Sequence, residues 1–198
     1  FIYNYSMMNT KQFIEEMNTQ NKIEIGSEAF ELMHELSQEA LKLTMELNNK
    51  YHTPEEIVEI FSQITGKDVD KTFRMFPPFY TDCGKNITVG KNVFINCCCK
   101  FQDQGGITIG NGVFIGHNVV IATLNHDINP NNRPAMTPKK VQIEDNVWIG
   151  SNVTILPGVT IHAGSIIGAG CVVTKDIPAN HIAVGNPCKV LRKIEEKN

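Results

Sequence analysis

The chain has 198 residues, of which 41% are hydrophobic and 20% charged, a composition typical of one soluble globular domain. The formal net charge of −3 argues against a basic nucleic-acid-binding protein. No run approaches the roughly 18 apolar residues of a membrane helix, and the N-terminus lacks the basic residues of a secretory signal. The six cysteines include three in a row and no C-x-x-C pair, which favours reduced thiols. We therefore expect a cytoplasmic protein that binds neither nucleic acid nor membrane.

Residues 1–76 carry a helical pattern. Apolar residues between Phe30 and Leu47 recur at helical spacing and predict a helix over about 28–49. Thr53-Pro54-Glu55-Glu56 is a capping box with proline at the first helical position, and Gly66 is expected to end this second helix. We expect the segment to cover the open end of the structure that follows.

The remainder of the chain is built on a six-residue period. From Val141 it divides into VQIEDN, VWIGSN, VTILPG, VTIHAG, SIIGAG and CVVTKD, and earlier blocks begin at Ile87 and Ile107. Positions one and three of each hexad are apolar and share a face of an extended strand. Glycine and asparagine follow at the positions where the chain can bend.

Each hexad therefore predicts one short strand and one turn. A single hexad cannot bury its apolar side, whereas stacked hexads form a continuous parallel β-solenoid. A β-sandwich is the alternative, but its turns would come every 8–12 residues and drift. We predict a mainly β fold, with the solenoid over 77–186, a polar loop projecting at 124–140 and a short helical tail at 187–198.

The hexads resemble those of the hexapeptide-repeat acyltransferases, whose fold is a left-handed parallel β-helix with three hexads in each triangular coil. Within that family the stretch from Pro77 to Arg192 is most similar to the sugar O-acetyltransferases of the maltose and galactoside type. The specific pieces are PPFYTDCG, the loop around His126, NVWIGSNV, IGAGCVVTKDIP and GNPCKVLR.

His126 is the candidate catalytic residue. It lies in the polar loop, and a neutral imidazole can accept a proton near neutral pH. A surface histidine without a role is the alternative on the residues alone. The resemblance implies that His126 removes the proton from an acceptor hydroxyl, whose oxygen attacks the thioester of acetyl-CoA directly in a ternary complex.

The resemblance also implies an acceptor site made of Asn96, Asp82, Met136 and Asp103. The acidic residue of the family falls at 103 or 104, and residue 104 is glutamine here.

The strand phase around the three consecutive cysteines predicts that Cys97 and Cys99 face the core while Asn96 and Cys98 face outward. Family members often carry Asn or Asp where Cys98 stands. An acyl-cysteine intermediate on Cys98 is a rival mechanism, and simple packing is the plainer explanation.

For the coenzyme, the resemblance implies a groove between neighbouring subunits of a homotrimer. Lys189 and Arg192 would lie near the CoA phosphates, where their charge is favourable; a solvated basic face is the alternative. The other matching positions are Trp148, Ser151, Ala169, Thr174 and Lys175. The outward apolar residues Phe94, Phe114 and Trp148 suit a subunit contact.

Other functions are less favoured. His117, His162 and His181 lie in separate turns, so no metal site is expected. The short acidic and basic N-terminal motif of the sugar acetyltransferases is missing from residues 1–76, which leaves open an amine or a xenobiotic such as an antibiotic as the acceptor. A non-catalytic scaffold is the alternative of another class.

Overall fold

Three helices precede the strands in the computed structural model, which describes residues 8–195: α1 (Thr10–Asn18), α2 (Glu28–Asn48) and α3 (Pro54–Thr65). The predictions for α2 and α3 are confirmed, whereas α1 was not predicted. The Thr53 hydroxyl accepts from the Glu56 amide, and Gly66 ends α3 in the left-handed conformation at φ 66°. None of the helices in the described chain is long and apolar enough to cross a membrane.

The strands wind through stacked coils, as the hexads predict. The first two coils comprise β1 (Arg74–Met75), β2 (Phe79–Thr81), β3 (Ile87–Val89), β4 (Phe94–Ile95), β5 (Cys99–Gln102) and β6 (Ile107–Ile109). The third coil comprises β7 (Phe114–Ile115), β8 (Val120–Ala122), an inserted hairpin of β9 (Leu124–His126) and β10 (Met136–Pro138), and β11 (Val141–Ile143). The later coils comprise β12 (Trp148–Ile149), β13 (Thr154–Ile155), β14 (Thr160–Ile161), β15 (Ile166–Ile167), β16 (Val172–Val173) and β17 (His181–Val184).

Three parallel sheets form the sides of the solenoid. Along the chain, each coil passes through the first sheet (β1-β4-β7-β12-β15-β17), the second (β2-β5-β8-β13-β16) and the third (β3-β6-β11-β14). Equivalent hexad positions stack in register, so that Ile87, Ile107 and Val141 form one buried column. The apolar first and third hexad positions fill the interior because each side chain is covered by its equivalents in neighbouring coils.

Helix α3 closes the open end of the solenoid, as expected. Its apolar face belongs to the same buried cluster as the first coils. The Phe61 ring stacks on Phe73 at 4.5 Å between centroids and meets the edge of Phe79 at 5.6 Å. The solenoid begins at Arg74, three residues before the predicted boundary at Pro77, because β1 already pairs with β4.

The prediction of a helical tail is wrong. Residues Lys189–Lys193 form β18, which pairs antiparallel with β17 at the edge of the first sheet. The free edge of β17 offers unpaired backbone groups, and the returning chain satisfies them as a strand. The pattern around Lys189, Arg192 and Lys193 favoured a helix, but it has no apolar face that a helix would bury.

We expect Phe61→Ala to lower the free energy of unfolding by about 3–5 kcal/mol, because the variant leaves a cavity between α3 and the first coil. Urea denaturation followed by circular dichroism measures this. Met45→Ala on the exposed side of α2 is the matched control and should stay within about 0.5 kcal/mol of the parent. A loss below about 1 kcal/mol for Phe61→Ala would show that α3 does not close the core.

Candidate active site

The turns between sheets form two stacked columns that carry most of the predicted site residues. The first corner, between the first and second sheets, is formed by residues 96–98, 116–118, 150–152 and 168–170. The second corner, between the second and third sheets, is formed by residues 82–86, 103–106, 123–140, 156–159 and 174–176. Which residues can meet depends on the corner to which each belongs.

His126 lies at the second corner, on the hairpin that interrupts the third coil. It ends β9, is exposed, and pairs with Met136 of the antiparallel strand β10. Its Nδ1 lies 2.9 Å from the carbonyl oxygen of Arg133. Because a carbonyl can only accept, Nδ1 carries the hydrogen, and the lone pair of the neutral ring is on Nε2.

The hairpin is fixed to the segment between α1 and α2. The Lys22 ammonium lies 2.5 Å from Asp127 Oδ2, and Ile23 exchanges two backbone hydrogen bonds with Met136 of 2.7 and 3.0 Å. The bond from Lys22 holds the pKa of Asp127 below its usual value, and the Asn129 amide adds to this effect. The N-terminal segment therefore positions the residue next to His126, a role that the sequence pattern did not predict.

A cavity of about 290 Å³ lies at the second corner beside α2. Asp82, predicted to bind the acceptor, lines this cavity, and burial of its carboxyl group there raises its pKa, with the nearby Asp103 charge adding to the shift. The remaining lining residues are Met33, His34, Ser37, Leu41, Thr81 and Gln104. Met136, predicted to close over the acceptor, is buried in the adjoining apolar cluster with Met33.

Asp103 organises a turn and does not line the cavity. It is fully buried, and its carboxylate accepts from the Thr81 hydroxyl at 2.6 Å and the Cys83 amide at 2.9 Å. Burial raises its pKa, while these bonds favour the charged form. The expectation that Asp103 faces the acceptor fails for this reason, and the neighbouring Gln104 takes that place on the wall.

Asn96, Ser151 and Ala169 belong to the first corner, with the turn 116–118 between the levels of Asn96 and Ser151. Small residues are required here: a Cβ added to Gly116 would lie 2.7 Å from the Ser151 nitrogen, and one added to Gly150 would lie 2.6 Å from the Ala169 nitrogen. Trp148, on the outer face of the adjoining first sheet, is 56% exposed and pairs with the exposed Phe114. The turns of this corner are therefore tightly stacked and lie beside exposed aromatic side chains of the first sheet.

The remaining predicted coenzyme residues lie outside the first corner. Thr174 and Lys175 are exposed at the second corner, whereas Lys189 and Arg192 lie on β18 beside the first sheet. Within a single chain, the predicted coenzyme residues thus lie at two corners and on the edge strand β18.

The prediction that Cys97 fills the core is wrong. Cys99 is buried, but Cys97 and Cys98 are half-buried at the first corner, because the turn breaks the alternation of the strand. Cys98 has a left-handed φ of 67°, a conformation that Asn118 and Asn152 adopt at the same corner. The Lys100 ammonium is bound by the Cys98 carbonyl and Asn118 Oδ1, both at 2.8 Å. The backbone conformation and these contacts show that Cys98 forms part of the turn.

The three other candidate histidines do not converge. His117 lies at the first corner, His181 on β17, and His162 contacts Glu144 at 3.1 Å. Within residues 8–195 no group of three histidine, cysteine or acidic side chains could hold a metal ion.

Comparison with known proteins agrees with this architecture. A model of the bacterial transferase hexapeptide, with six repeats, matches residues 140–175. The galactoside O-acetyltransferase of Lactococcus lactis is 42% identical over 165 residues, which cover 81% of this chain and 79% of that protein. The chain belongs to the hexapeptide-repeat transferase family. Within the family it is an acetyltransferase of the sugar O-acetyltransferase type.

Two solved structures of family members are similar over almost the whole chain. A maltose O-acetyltransferase from Clostridium difficile 630 is 41% identical with a TM-score of 0.83, covering 92% of this chain and 97% of its own. A hexapeptide-repeat acetyltransferase from Vibrio cholerae O1 biovar eltor, solved with acetyl coenzyme A, is 29% identical with a TM-score of 0.78, covering 93% and 99%.

We expect the neutral His126 ring to carry its proton on Nδ1, because the Arg133 carbonyl accepts from that nitrogen. Nitrogen-15 chemical shifts at a pH where the ring is neutral measure this, with the signal assigned through a His126→Gln variant. His181, whose Nδ1 lies 2.8 Å from the Ala179 carbonyl, is the matched control. A proton found on Nε2 of His126 would contradict this assignment and would leave Nε2 without a lone pair.

Proposed function

We propose that the protein transfers the acetyl group of acetyl-CoA to a hydroxyl of a sugar-like acceptor, with His126 as the general base. The observation that carries this proposal is the bond from His126 Nδ1 to the Arg133 carbonyl, which leaves Nε2 able to accept a proton. The cavity beside α2 supplies room for an acceptor near the same hairpin. The six thiols of the sequence favour a cytoplasmic location.

In this mechanism Nε2 of His126 removes the proton of the acceptor hydroxyl as the oxygen attacks the thioester carbonyl. The carbon–sulfur bond breaks, and the thiolate of CoA leaves and is protonated. A thioester is already activated, so the transfer needs no covalent enzyme intermediate. The Arg133 carbonyl stabilises the imidazolium that forms, because it accepts from the opposite ring nitrogen.

The complete site is proposed to form between copies of the chain in a homotrimer. His126 extends from the second corner and Asn96 lies at the first, separated by a strand that spans roughly 20 Å from residue 96 to 103. The two side chains can act on one acceptor when the second corner of one copy faces the first corner of another. Head-to-tail contacts of this kind close into rings.

The same arrangement accounts for the dispersed coenzyme residues. The pantetheine arm would follow the groove at Ser151 and Ala169, bordered by Trp148, while Thr174 and Lys175 would come from the facing corner of the other copy. Lys189 and Arg192 on β18 would attract the CoA phosphates. The co-substrate acetyl-CoA and the neighbouring copy are thus the two partners that the proposal requires, besides the acceptor.

We expect His126→Ala to lower kcat by roughly 10²–10⁴-fold, the usual contribution of a positioned general base. Release of free CoA thiol during acetyl transfer to a panel of sugars measures the rate. His162→Ala removes an imidazole outside both corners and should keep the parent rate. Unimpaired turnover in His126→Ala would exclude His126 from the mechanism.

A mixture of two inactive variants tests whether the site is shared. His126→Ala and Asn96→Ala are each expected to be nearly inactive, but copies exchanged at equal ratio should regain about a quarter of the parent activity. A quarter is the chance that an intact His126 in one copy faces an intact Asn96 in the next around a ring. Activity would stay at the level of the single variants if one chain supplied both residues.

A further inference from the structure

The cavity beside α2 has a chemical character that specifies its ligand. We propose that it binds a positively charged amino group of the acceptor, so that the acetylated hydroxyl belongs to an amino sugar or a similar polyhydroxylated amine. This inference rests on the proposed function, whose acceptor class it narrows.

Gln104 gives the first indication. It is 5% exposed, it lines the cavity, and its side chain favours the charged form of the neighbouring Asp82. Within the described part of the chain, Gln104 Oε1 is a buried acceptor without a hydrogen-bond partner. Buried polar atoms of this kind are rare, so this oxygen marks a polar position behind the cavity wall that lacks a donor.

The other polar groups on the cavity wall also offer acceptors. The Thr81 hydroxyl already donates to Asp103 at 2.6 Å, and the Ser37 hydroxyl already donates to the His34 carbonyl at 2.8 Å. His34 Nδ1 lies 2.9 Å from the Phe30 carbonyl, so the neutral ring has its lone pair on Nε2. With Asp82 added, the wall presents a carboxylate and neutral acceptors whose own hydrogens are already bound elsewhere.

An ammonium group matches such a wall better than a hydroxyl does. It carries three donors and no acceptor, whereas a hydroxyl also presents lone pairs that the wall cannot satisfy. The charge around the cavity also favours a positively charged ligand, because no lysine or arginine of the described chain lines the cavity. Helix α2 carries one lysine, Lys42, against the glutamates Glu28, Glu31, Glu35, Glu39 and Glu46.

The cavity and the hairpin of His126 belong to neighbouring turns of the second corner. The amide of Gly105, next to Gln104, donates to the Thr123 hydroxyl at 2.8 Å, and Thr123 precedes His126 by three residues, about 10 Å of strand. Met33 of the cavity wall packs in one cluster with Leu124 and Met136 of the hairpin. An amino sugar held by its ammonium group would therefore direct a hydroxyl towards Nε2.

The bound ammonium group is the recognition element and is not acetylated. A protonated amine has no lone pair for attack on the thioester, and the Asp82 carboxylate favours the protonated form. The hydroxyl oxygen forms the new ester bond while its proton goes to His126, and CoA leaves as the thiol. The expected product is an O-acetyl ester that still carries a free amine.

The experiment compares methyl glycosides of glucosamine and glucose at a pH below the pKa of the amine. We expect kcat/KM of the parent protein to be roughly 10–100-fold higher for the glucosamine glycoside. Asp82→Asn should remove this preference by lowering kcat/KM for the amine alone. Glu55→Gln makes the same charge change at an exposed position of α3 outside the cavity and should retain the preference. Equal values for both glycosides, or an equal loss for both in Asp82→Asn, would overturn the inference.

Two further measurements separate this inference from the proposed function. Calorimetric titration of the two glycosides into His126→Ala tests binding without turnover, and preferred binding of the amine supports the inference even if no acetyl transfer occurs. Absence of that preference overturns it even if sugars are acetylated. Nuclear magnetic resonance of the product gives the position of the acetyl group, and an N-acetyl product would contradict an ammonium group held by Asp82.

Discussion

The structure depends on one constraint: a strand of two or three residues buries its apolar side chains only when equivalent strands of neighbouring coils cover them. This requirement keeps the coils in register, as the column of Ile87, Ile107 and Val141 illustrates. The turns must then stack as well, and two of the three corners that result differ in their chemistry. At the first corner, the close backbone approaches at Gly116 and Gly150 leave no room for larger residues. At the second corner, the array is interrupted by the hairpin that carries His126.

The interruption positions its histidine through contacts outside the repeat. Lys22 and Ile23 belong to the segment between α1 and α2. Lys22 forms an ion pair with Asp127, which follows β9, and Ile23 forms backbone hydrogen bonds with Met136 of β10. The N-terminal segment therefore has two roles, since α3 closes the core while α2 and the preceding loop build the wall of the candidate acceptor site. Substitutions on α2 can consequently alter the wall of this cavity without any change in the coils.

Hydrogen bonds that the polar groups of that wall make within the protein determine which ligand groups the wall can bind. Thr81 and Ser37 could each donate or accept in isolation, but their hydrogens are bound to Asp103 and to the His34 carbonyl. The buried Asp103, although absent from the cavity surface, thus determines what Thr81 can offer to a ligand. The Gln104 side chain favours the charged form of Asp82, and its oxygen is a buried acceptor without a partner among the described residues.

The sequence by itself determined the solenoid, the two longer helices and the candidate base, because each has a local signal. The hexad period specifies stacked strands, a capping box and Gly66 specify the ends of α3, and His126 lies in a polar segment that breaks the period. The tertiary structure decided the remainder. Lys189–Lys193 forms a strand because the edge of β17 is free, and Cys97 leaves the core because a turn interrupts its strand. His34, Ser37 and Gln104 belong to one cavity through the packing of α2 on the second corner, a contact between residues far apart in the chain that no local pattern encodes.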